Sequence, residues 1–184
     1  MSLVPVDLDA IIRRIPHHPK PGILFFDLMP LFENAQGLAY CVDRIAEWGS
    51  DRRADLVLGA EARGFILGGA IARTMGTGFL AARKPGKLPW ETVRQEYELE
   101  YGTDALELHR GSIPKGARVL VHDDLLATGG TARATCELVE EMGGVVVGVA
   151  FIAELTFLPG REALKGYDTL SLITFDSETI ADDS

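Results

Sequence analysis

The clearest candidates for chemistry are two adjacent acids, Asp123 and Asp124, and the loop of hydroxyl and glycine residues that follows them. An apolar run before the acids predicts a buried strand, and a helix-like segment at 132–142 follows the loop. Open α/β sheets bind ligands at the carboxyl ends of their strands. The N-terminus of a helix attracts phosphate, because its first N–H groups lack partners and carry partial positive charge. The stretch 119–131 therefore predicts a site for a ligand with both a sugar diol and a phosphate.

The acids and the loop would have different partners. Carboxylates repel phosphate, but they accept hydrogen bonds from hydroxyls, hold a metal ion through water or stabilise positive charge on a sugar. In the loop, Thr128 and Thr131 supply hydroxyls, whereas Gly129 and Gly130 let the backbone approach an anion closely because they lack a Cβ atom. The alternative is structural: the acids end a strand and the loop caps a helix. The agreement of strand, acids, loop and helix favours a ligand site.

Residues 123–131, Asp-Asp-Leu-Leu-Ala-Thr-Gly-Gly-Thr, resemble the signature with which type I phosphoribosyltransferases bind 5-phosphoribosyl 1-diphosphate (PRPP). The form is similar to that of the adenine phosphoribosyltransferases. His122 departs from the family, which more often has Val or Ile there. It is either a core histidine or a partner of Asp123, and strand alternation favours the core. The resemblance implies that the ribose and the 5′-phosphate are bound by Asp123, Asp124, Ala127, Thr128, Gly129, Gly130 and Thr131.

Composition and charge limit the class of protein. The 184 residues suffice for one domain, and 47% hydrophobic residues with dispersed Gly and Pro fit an α/β protein. We expect no transmembrane helix and no signal peptide, because no apolar run is long enough and the first residues include several charges. The net charge of -9 argues against a nucleic-acid partner. Cys41 and Cys136 lack disulfide spacing, which favours reduced thiols in a cytoplasmic protein.

Apolar runs alternate with helix-like segments and predict one α/β domain, residues 1–184, with a mainly parallel sheet and right-handed crossovers. Strands are predicted at 55–60, 79–82, 92–100, 105–109, 117–122, 144–153 and 169–174, with a strand or loop at 23–26. Helices are predicted at 6–15, 37–48, 64–75, 132–142 and 160–164. Pro16, Pro19 and Pro21 predict an extended linker, and the acidic tail 176–184 is expected to be disordered. The resemblance implies the type I phosphoribosyltransferase fold, with helices flanking the sheet and a small hood at about 1–33.

Two further segments offer cations or backbone donors at the same edge of the sheet. The loop 59–65 joins a strand to a helix, and 83–89 is a basic patch in an acidic protein. Taken alone they are an ordinary turn and a solvated basic loop. They resemble the pyrophosphate loop and the Arg-Lys-x-Gly-Lys-Leu-Pro segment of the family, which implies a diphosphate site formed by Glu61, Ala62, Arg63, Arg83, Lys84 and Lys87. In related dimers this region reaches the neighbouring subunit, so the resemblance also implies a homodimer in which Arg83 and Lys84 act in trans.

Residues 97–102 resemble the flexible catalytic loop of the family, whose motif ends in Leu-Glu-Tyr-Gly. The resemblance implies that Glu100 lies near N7 of the base as proton donor or acceptor, and that Tyr101 covers the diphosphate. Closure of 90–101, within a flexible region at about 90–108, would exclude water from PRPP. Without the resemblance, the alternation of large and charged residues indicates only an exposed strand.

The segment 21–27 resembles the part of the family that recognises adenine. The resemblance implies backbone contacts from Leu24 and Phe26, stacking by the ring of Phe25, and closure of the pocket by Leu155 or Phe157. Phe26 stands where the family usually has Arg, so any role of a guanidinium is lost while backbone contacts remain available.

The implied reaction converts adenine and PRPP to AMP and diphosphate. The implied cofactor is Mg²⁺, held by PRPP and water with no direct ligand from the protein. One alternative is transfer to hypoxanthine, guanine or xanthine. A 6-oxo group needs a donor such as lysine, and Lys165 is the one lysine of the C-terminal third. The other alternative is a regulator that binds PRPP without catalysis, but this acidic chain has no length to spare for a basic DNA-binding module.

Overall fold

The computed structural model describes residues 5–98 and 102–177. Its elements, in chain order, are β1 (Arg13–Pro16), β2 (Leu24–Asp27), α1 (Met29–Glu33), α2 (Ala35–Asp51), β3 (Leu56–Ala60), α3 (Gly64–Met75), β4 (Gly78–Ala82), β5 (Thr92–Glu98), β6 (Thr103–His109), β7 (Arg118–Leu126), α4 (Gly130–Glu141), β8 (Val145–Leu155), α5 (Gly160–Ala163) and β9 (Thr169–Phe175). No helix among these described residues is long and apolar enough to cross a membrane.

Five strands form the central sheet in the order β4-β3-β7-β8-β9, and every neighbouring pair is parallel. The prediction of a parallel α/β sheet flanked by helices is confirmed. Because the strands are parallel, the segments that follow β3, β4, β7 and β8 all leave from one edge of the sheet. That edge collects the segments in which the sequence predicts chemistry.

The sheet buries an apolar layer on each face. Leu120 of β7 packs with Ile45 of α2 and Ile71 of α3, whereas its neighbours along the strand face a second layer. Val121 belongs to this second layer, together with Leu138 of α4. Side chains of a strand alternate between faces, so these adjacent residues connect both layers to one strand. The strand that carries the acids is therefore held firmly at the centre of the core.

The N-terminal prediction of a helix at 6–15 is wrong. The structure has a single turn, in which the N–H of Ile12 donates to the carbonyl of Leu8 at 3.1 Å, followed by β1. Proline disfavours the helical conformation in the residue before it, so Pro16 keeps Ile15 extended. Strand β1 instead pairs antiparallel with β2, which satisfies its backbone groups. Leu8 and Ile12 are still buried, by the turn rather than by a helix face.

The proline-rich segment is the loop of this hairpin and not a linker. The N–H of His18 donates to the carbonyl of Ile23 at 3.2 Å, across the turn between β1 and β2. The hairpin forms its own two-stranded sheet, and it rests on the main sheet through Phe26, whose ring stacks on that of Phe175 at 4.1 Å between centroids. The short helix α1, which the sequence analysis did not predict, follows directly.

The strands predicted at 92–100 and 105–109 are present as β5 and β6, and they form a separate antiparallel hairpin that was not predicted. The backbone of Arg83 exchanges hydrogen bonds with that of Glu107, at 2.9 and 2.7 Å, and so attaches the hairpin to the segment after β4. Residues 99–101 lie outside the described residues. They include the end of the strand predicted at 92–100 and the predicted site residues Glu100 and Tyr101.

Two boundaries near the site and one in the core differ from the predictions. Helix α4 begins at Gly130 rather than at 132, and β7 continues to Leu126 rather than ending at 122. Helix α2 begins at Ala35 because the side chain of Asn34 accepts hydrogen bonds from the N–H groups of Gln36 and Gly37, at 3.1 and 2.9 Å. The acids thus lie inside a strand, and the glycine loop is only a few residues long.

Candidate functional site

A cavity of about 470 Å³ opens at the carboxyl edge of the central sheet. Three parts of the chain line it: the loop after β3, the side chains of Lys84 and Tyr97, and the whole connection from β7 to α4. Of the residues for which the sequence predicts contacts with ribose, phosphate or diphosphate, those that line it are Glu61, Ala62, Arg63, Lys84, Asp123, Asp124, Ala127, Thr128, Gly129, Gly130 and Thr131. Arg83 and Lys87 are not among its lining residues.

The acids reach the cavity because β7 loses one of its two neighbours. Pairing with β3 ends where Gly59 meets His122, while pairing with β8 continues to Leu126. Helix α3 begins directly beside this gap: a Cβ atom on Gly64 would lie 2.9 Å from the carbonyl of His122 and 3.2 Å from Oδ1 of Asp123. Glycine at this position therefore permits the N-terminus of α3 to approach the acids.

The carboxyl groups of Asp123 and Asp124 are buried and interact with each other electrostatically. Burial raises the pKa of Asp123 well above its ordinary value, and the charge of Asp124 raises it further. Burial also raises the pKa of Asp124, although the guanidinium of Arg63, whose Nε forms an ion pair with Oδ2, opposes that effect. Burial thus leaves the ionised forms poorly solvated. A hydroxyl donor or a positive charge brought into the cavity would stabilise them.

The loop after the acids has a backbone that only glycine adopts readily. Gly129 has a φ of +84°, in the left-handed region, and it precedes the first turn of α4. A Cβ atom there would lie 2.8 Å from Cβ of Ala163 and 2.9 Å from the carbonyl oxygen of Gly160. The N-terminus of α4 offers backbone N–H groups without helical partners. The arrangement suits an anion about the size of a phosphate.

Glu61 organises the cationic side of the cavity. Its carboxylate accepts a hydrogen bond from the N–H of Lys84 at 2.6 Å and contacts the guanidinium of Arg83 at 3.4 Å. Burial alone would raise the pKa of Glu61, but these donors lower it below the ordinary value. The side chain of Lys84 points into the cavity from the segment that Glu61 holds. Glu61 therefore contacts the basic segment at both the guanidinium of Arg83 and the backbone of Lys84.

Two residues that hold Lys84, Tyr97 and Asp104, are not predicted by the sequence to do so. The ammonium of Lys84 donates to the hydroxyl of Tyr97 at 3.0 Å and forms an ion pair with Asp104. Burial alone would lower the pKa of Lys84, but hydrogen bonds to Asp104 and Tyr97 raise it. Tyr97 and Asp104 face each other across the β5–β6 hairpin. The register of that hairpin was the signal that could have brought them together.

The residues predicted to bind the base do not line this cavity. Leu24, Phe25, Phe26 and Leu155 are not among its lining residues. Phe26 is 5% exposed and stacks on Phe175, whose backbone pairs with that of Leu155 in the sheet. Phe26 and Leu155 thus both contact Phe175, the last residue of β9. The ring of Phe25 meets that of His18 edge to face at 5.0 Å.

His122 is a core residue, as strand alternation predicts. Its side chain is fully buried, and Nδ1 lies 2.9 Å from the carbonyl oxygen of Ala150 on β8. Burial lowers its pKa from 6.5 to about 4, although the hydrogen bond to Ala150 opposes that shift. The imidazole is therefore neutral at pH 7.

Replacing His122 with Val is expected to flatten the pH dependence of stability. Between pH 6.5 and about 4 the unfolded chain binds a proton at His122 that the folded chain excludes, so stability falls as pH falls through this window. Each such proton contributes a slope of about 1.4 kcal/mol per pH unit. Urea unfolding at several pH values should give the variant a smaller slope. The variant His18→Gln, at an exposed position, is the control; equal slopes for wild type and His122→Val would refute the assignment.

Known proteins that are similar to this chain in sequence and in structure are phosphoribosyltransferases. The sequence profile of the phosphoribosyl transferase domain matches residues 31–170. An adenine phosphoribosyltransferase of Koribacter versatilis is 54% identical over 169 residues, which cover 92% of this chain and 93% of that protein. The crystal structure of adenine phosphoribosyltransferase from Thermoanaerobacter pseudethanolicus superposes with a TM-score of 0.88 at 49% identity, covering 92% of this chain and 98% of that one.

A third relative was solved with ligands. The adenine phosphoribosyltransferase of Saccharomyces cerevisiae, complexed with an imino-altritol bisphosphate and adenine, has a TM-score of 0.84 at 37% identity. The match covers 90% of this chain and 96% of that one. That complex therefore contains adenine together with a bisphosphate in a protein of the same fold.

Proposed function

The chain belongs to the phosphoribosyl transferase family, and from that premise we propose that it transfers the 5-phosphoribosyl group of PRPP to adenine, giving AMP and diphosphate. One observation carries the proposal: a single cavity contains two buried acids, a phosphate-sized loop at a helix N-terminus, and the cations Arg63 and Lys84. These groups match the ribose, the 5′-phosphate and the diphosphate of PRPP. The relatives described above are named adenine phosphoribosyltransferases, and this supports adenine as the acceptor substrate.

The ribose and its phosphate occupy the β7–α4 side of the cavity. The loop from Ala127 to Thr131 binds the 5′-phosphate through backbone N–H groups and hydroxyls. Asp123 and Asp124 accept hydrogen bonds from the 2′- and 3′-hydroxyls. As the bond at C1′ breaks, the sugar develops oxocarbenium character. The two buried carboxylates are stabilised by that charge and lower the barrier.

The diphosphate leaves on the opposite side. Arg63 and Lys84 bind it directly, Ala62 contributes its backbone, and Glu61 holds the cationic segment in place. Arg83 and Lys87 add positive charge nearby, and Tyr101 covers the group. The oxygen donors of the acids and of PRPP fit Mg²⁺, with protein contacts through water. When bound, the ion neutralises charge on the leaving group.

The base lies under the hood. The ring of Phe26 stacks on that of Phe175 and so is not available to the base. The base is recognised instead by the backbone of Leu24 and Phe26, the ring of Phe25 and the side chain of Leu155. Glu100 exchanges a proton at N7. The 6-oxopurine alternative needs a lysine, but the side chain of Lys165 is 79% exposed and paired with Glu162. This observation favours adenine.

The remaining features follow the family. The β5–β6 hairpin, within the region at about 90–108, closes over the site and excludes water. The protein works as a cytoplasmic homodimer, in which Arg83 acts in trans, whereas Lys84 lines the cavity of its own chain. Residues 178–184 of the tail lie outside the described residues. One domain carries all of these functions. We propose no role in nucleic-acid binding, because the chain has a net charge of -9.

The proposal is tested by incubating the protein with PRPP, Mg²⁺ and adenine and separating the nucleotides. We expect AMP and diphosphate in equal amounts, and no product after chelation of Mg²⁺. Guanine, hypoxanthine and xanthine are offered in parallel reactions as controls. Binding of PRPP without turnover of any base would contradict the proposal and would favour the non-catalytic regulator.

A further inference from the structure

The short helix α5 lies directly behind the loop at 127–131. A Cβ atom on Gly160, the first residue of α5, would lie 2.8 Å from Cδ1 of Leu126 and inside van der Waals contact with the carbonyl oxygen of Ala127. From the other side, a Cβ atom on Gly129 would lie 2.8 Å from Cβ of Ala163, the last residue of α5. The two backbones touch through glycines. The shape of the loop therefore depends on where α5 sits.

Arg161 holds α5 in place. Its guanidinium binds the carboxylate of Glu154 with two nitrogens, with Nε at 2.9 Å from Oε1. A third nitrogen, Nη1, donates to the carbonyl of Thr169 at 2.9 Å. Ser171 completes the cluster, because its hydroxyl donates to Oε2 of Glu154 at 2.7 Å. One side chain of α5 is thus bound to both β8 and β9.

The anchor of this cluster is buried and charged. Glu154 is 3% exposed, and its backbone pairs with that of Leu126, at the end of β7. Burial alone would raise the pKa of Glu154, but the hydrogen bonds from Arg161 and Ser171 lower it. A bidentate bond between a guanidinium and a carboxylate is strong and directional. A helix of four residues has no stability of its own, so these contacts decide the position of α5.

We propose that Arg161 is a positioning residue for the 5′-phosphate: through Glu154 it fixes α5, and α5 holds the loop at 127–131 in the shape that receives the phosphate. Arg161 is not among the residues that line the cavity, so it acts through α5 and not by touching substrate. The inference rests on the proposed function, since it specifies how that site is built.

The variants separate the position of α5 from the stability of the protein. Removing Arg161 alone would leave the carboxylate of Glu154 buried without its cationic partner, which destabilises proteins strongly. The double variant Glu154→Gln/Arg161→Met removes both charges together and avoids that penalty. Arg161→Lys keeps the charge but loses the bidentate geometry. Arg44→Met is the matched control, because Arg44 also forms an ion pair and its side chain is 45% exposed, against 49% for Arg161.

We expect the double variant to raise KM for PRPP roughly tenfold, because a small displacement of the phosphate loop misplaces the reacting groups. KM for adenine should not change. In calorimetric titrations the Kd for ribose 5-phosphate should rise by a similar factor, while the Kd for inorganic diphosphate, which binds on the Arg63 side, should not. Arg161→Lys should give a smaller rise, and Arg44→Met none.

The possible outcomes distinguish the role of Arg161 from the proposed function. A folded double variant with wild-type affinity for ribose 5-phosphate overturns the inference, and so does an equal loss of affinity for diphosphate. If the double variant does not fold, the same two affinities of Arg161→Lys decide. If the wild type binds ribose 5-phosphate but forms no AMP, the proposed function fails while the comparison of affinities still stands. A wild type that does not bind ribose 5-phosphate contradicts both.

Discussion

Replacing Asp124 with Asn is expected to lower kcat with PRPP and adenine roughly 100- to 1,000-fold, because one of two charges that stabilise C1′ is removed. The amide has nearly the shape of the carboxylate, and Asp124 is 4% exposed, so packing should persist. Arg63 loses its partner but is half exposed, so water can solvate it. Steady-state kinetics and a thermal unfolding curve measure the two effects separately.

The control for this variant is Asp51→Asn, which makes the same chemical change at an exposed position at the end of α2. We expect it to keep wild-type kcat. An Asp124→Asn enzyme with near-normal turnover would contradict the role given to the acids. A variant that loses activity together with its folded structure would not, and Asp123→Asn would then carry the test with the same expected loss of turnover.

Replacing Gly129 with Ala is expected to lower kcat/KM for PRPP about 100-fold. Two effects combine. A φ of +84° is strained for alanine, and the new methyl group would lie within 3 Å of Ala163 and Gly160. The loop must move to accommodate it, which displaces the groups that bind the 5′-phosphate. Kinetics with PRPP as the varied substrate measure the loss.

The variant Gly111→Ala separates strain from displacement. Gly111 has a φ of +78°, but nothing lies within 4 Å of the position of a Cβ atom. We expect it to lose about 1–2 kcal/mol of stability with unchanged kinetics. If Gly129→Ala and Gly111→Ala had the same kcat/KM for PRPP, the loop would not have the function that we assign to it.

The central sheet and the two acids could be predicted because their signals are local. The strand before Asp123 contains the apolar run 119–121, and the loop after it contains residue types that phosphate binding requires. The helix predicted at 6–15 is wrong because Leu8 and Ile12 have helical spacing, whereas residues 13–16 pair with residues 24–27 as a hairpin. Periodicity does not report such pairing.

The contacts that complete the site join residues of different strands, helices and loops. Lys84 binds Asp104, Phe26 stacks on Phe175, and Arg161 reaches Glu154 and Ser171. None of these partners follows from local pattern, because each depends on the register of a hairpin or of the sheet. The sequence therefore indicates which groups meet the ligand more readily than which groups hold them in position.

The most direct test of the central claim is a competition in one reaction, with PRPP, Mg²⁺ and equal concentrations of adenine, guanine, hypoxanthine and xanthine. The nucleotides formed at low conversion give the ratio of kcat/KM values for the four bases. The proposed function predicts AMP as the dominant product, with diphosphate formed in equal amount. A dominant 6-oxopurine nucleotide, or no nucleotide at all, would contradict it.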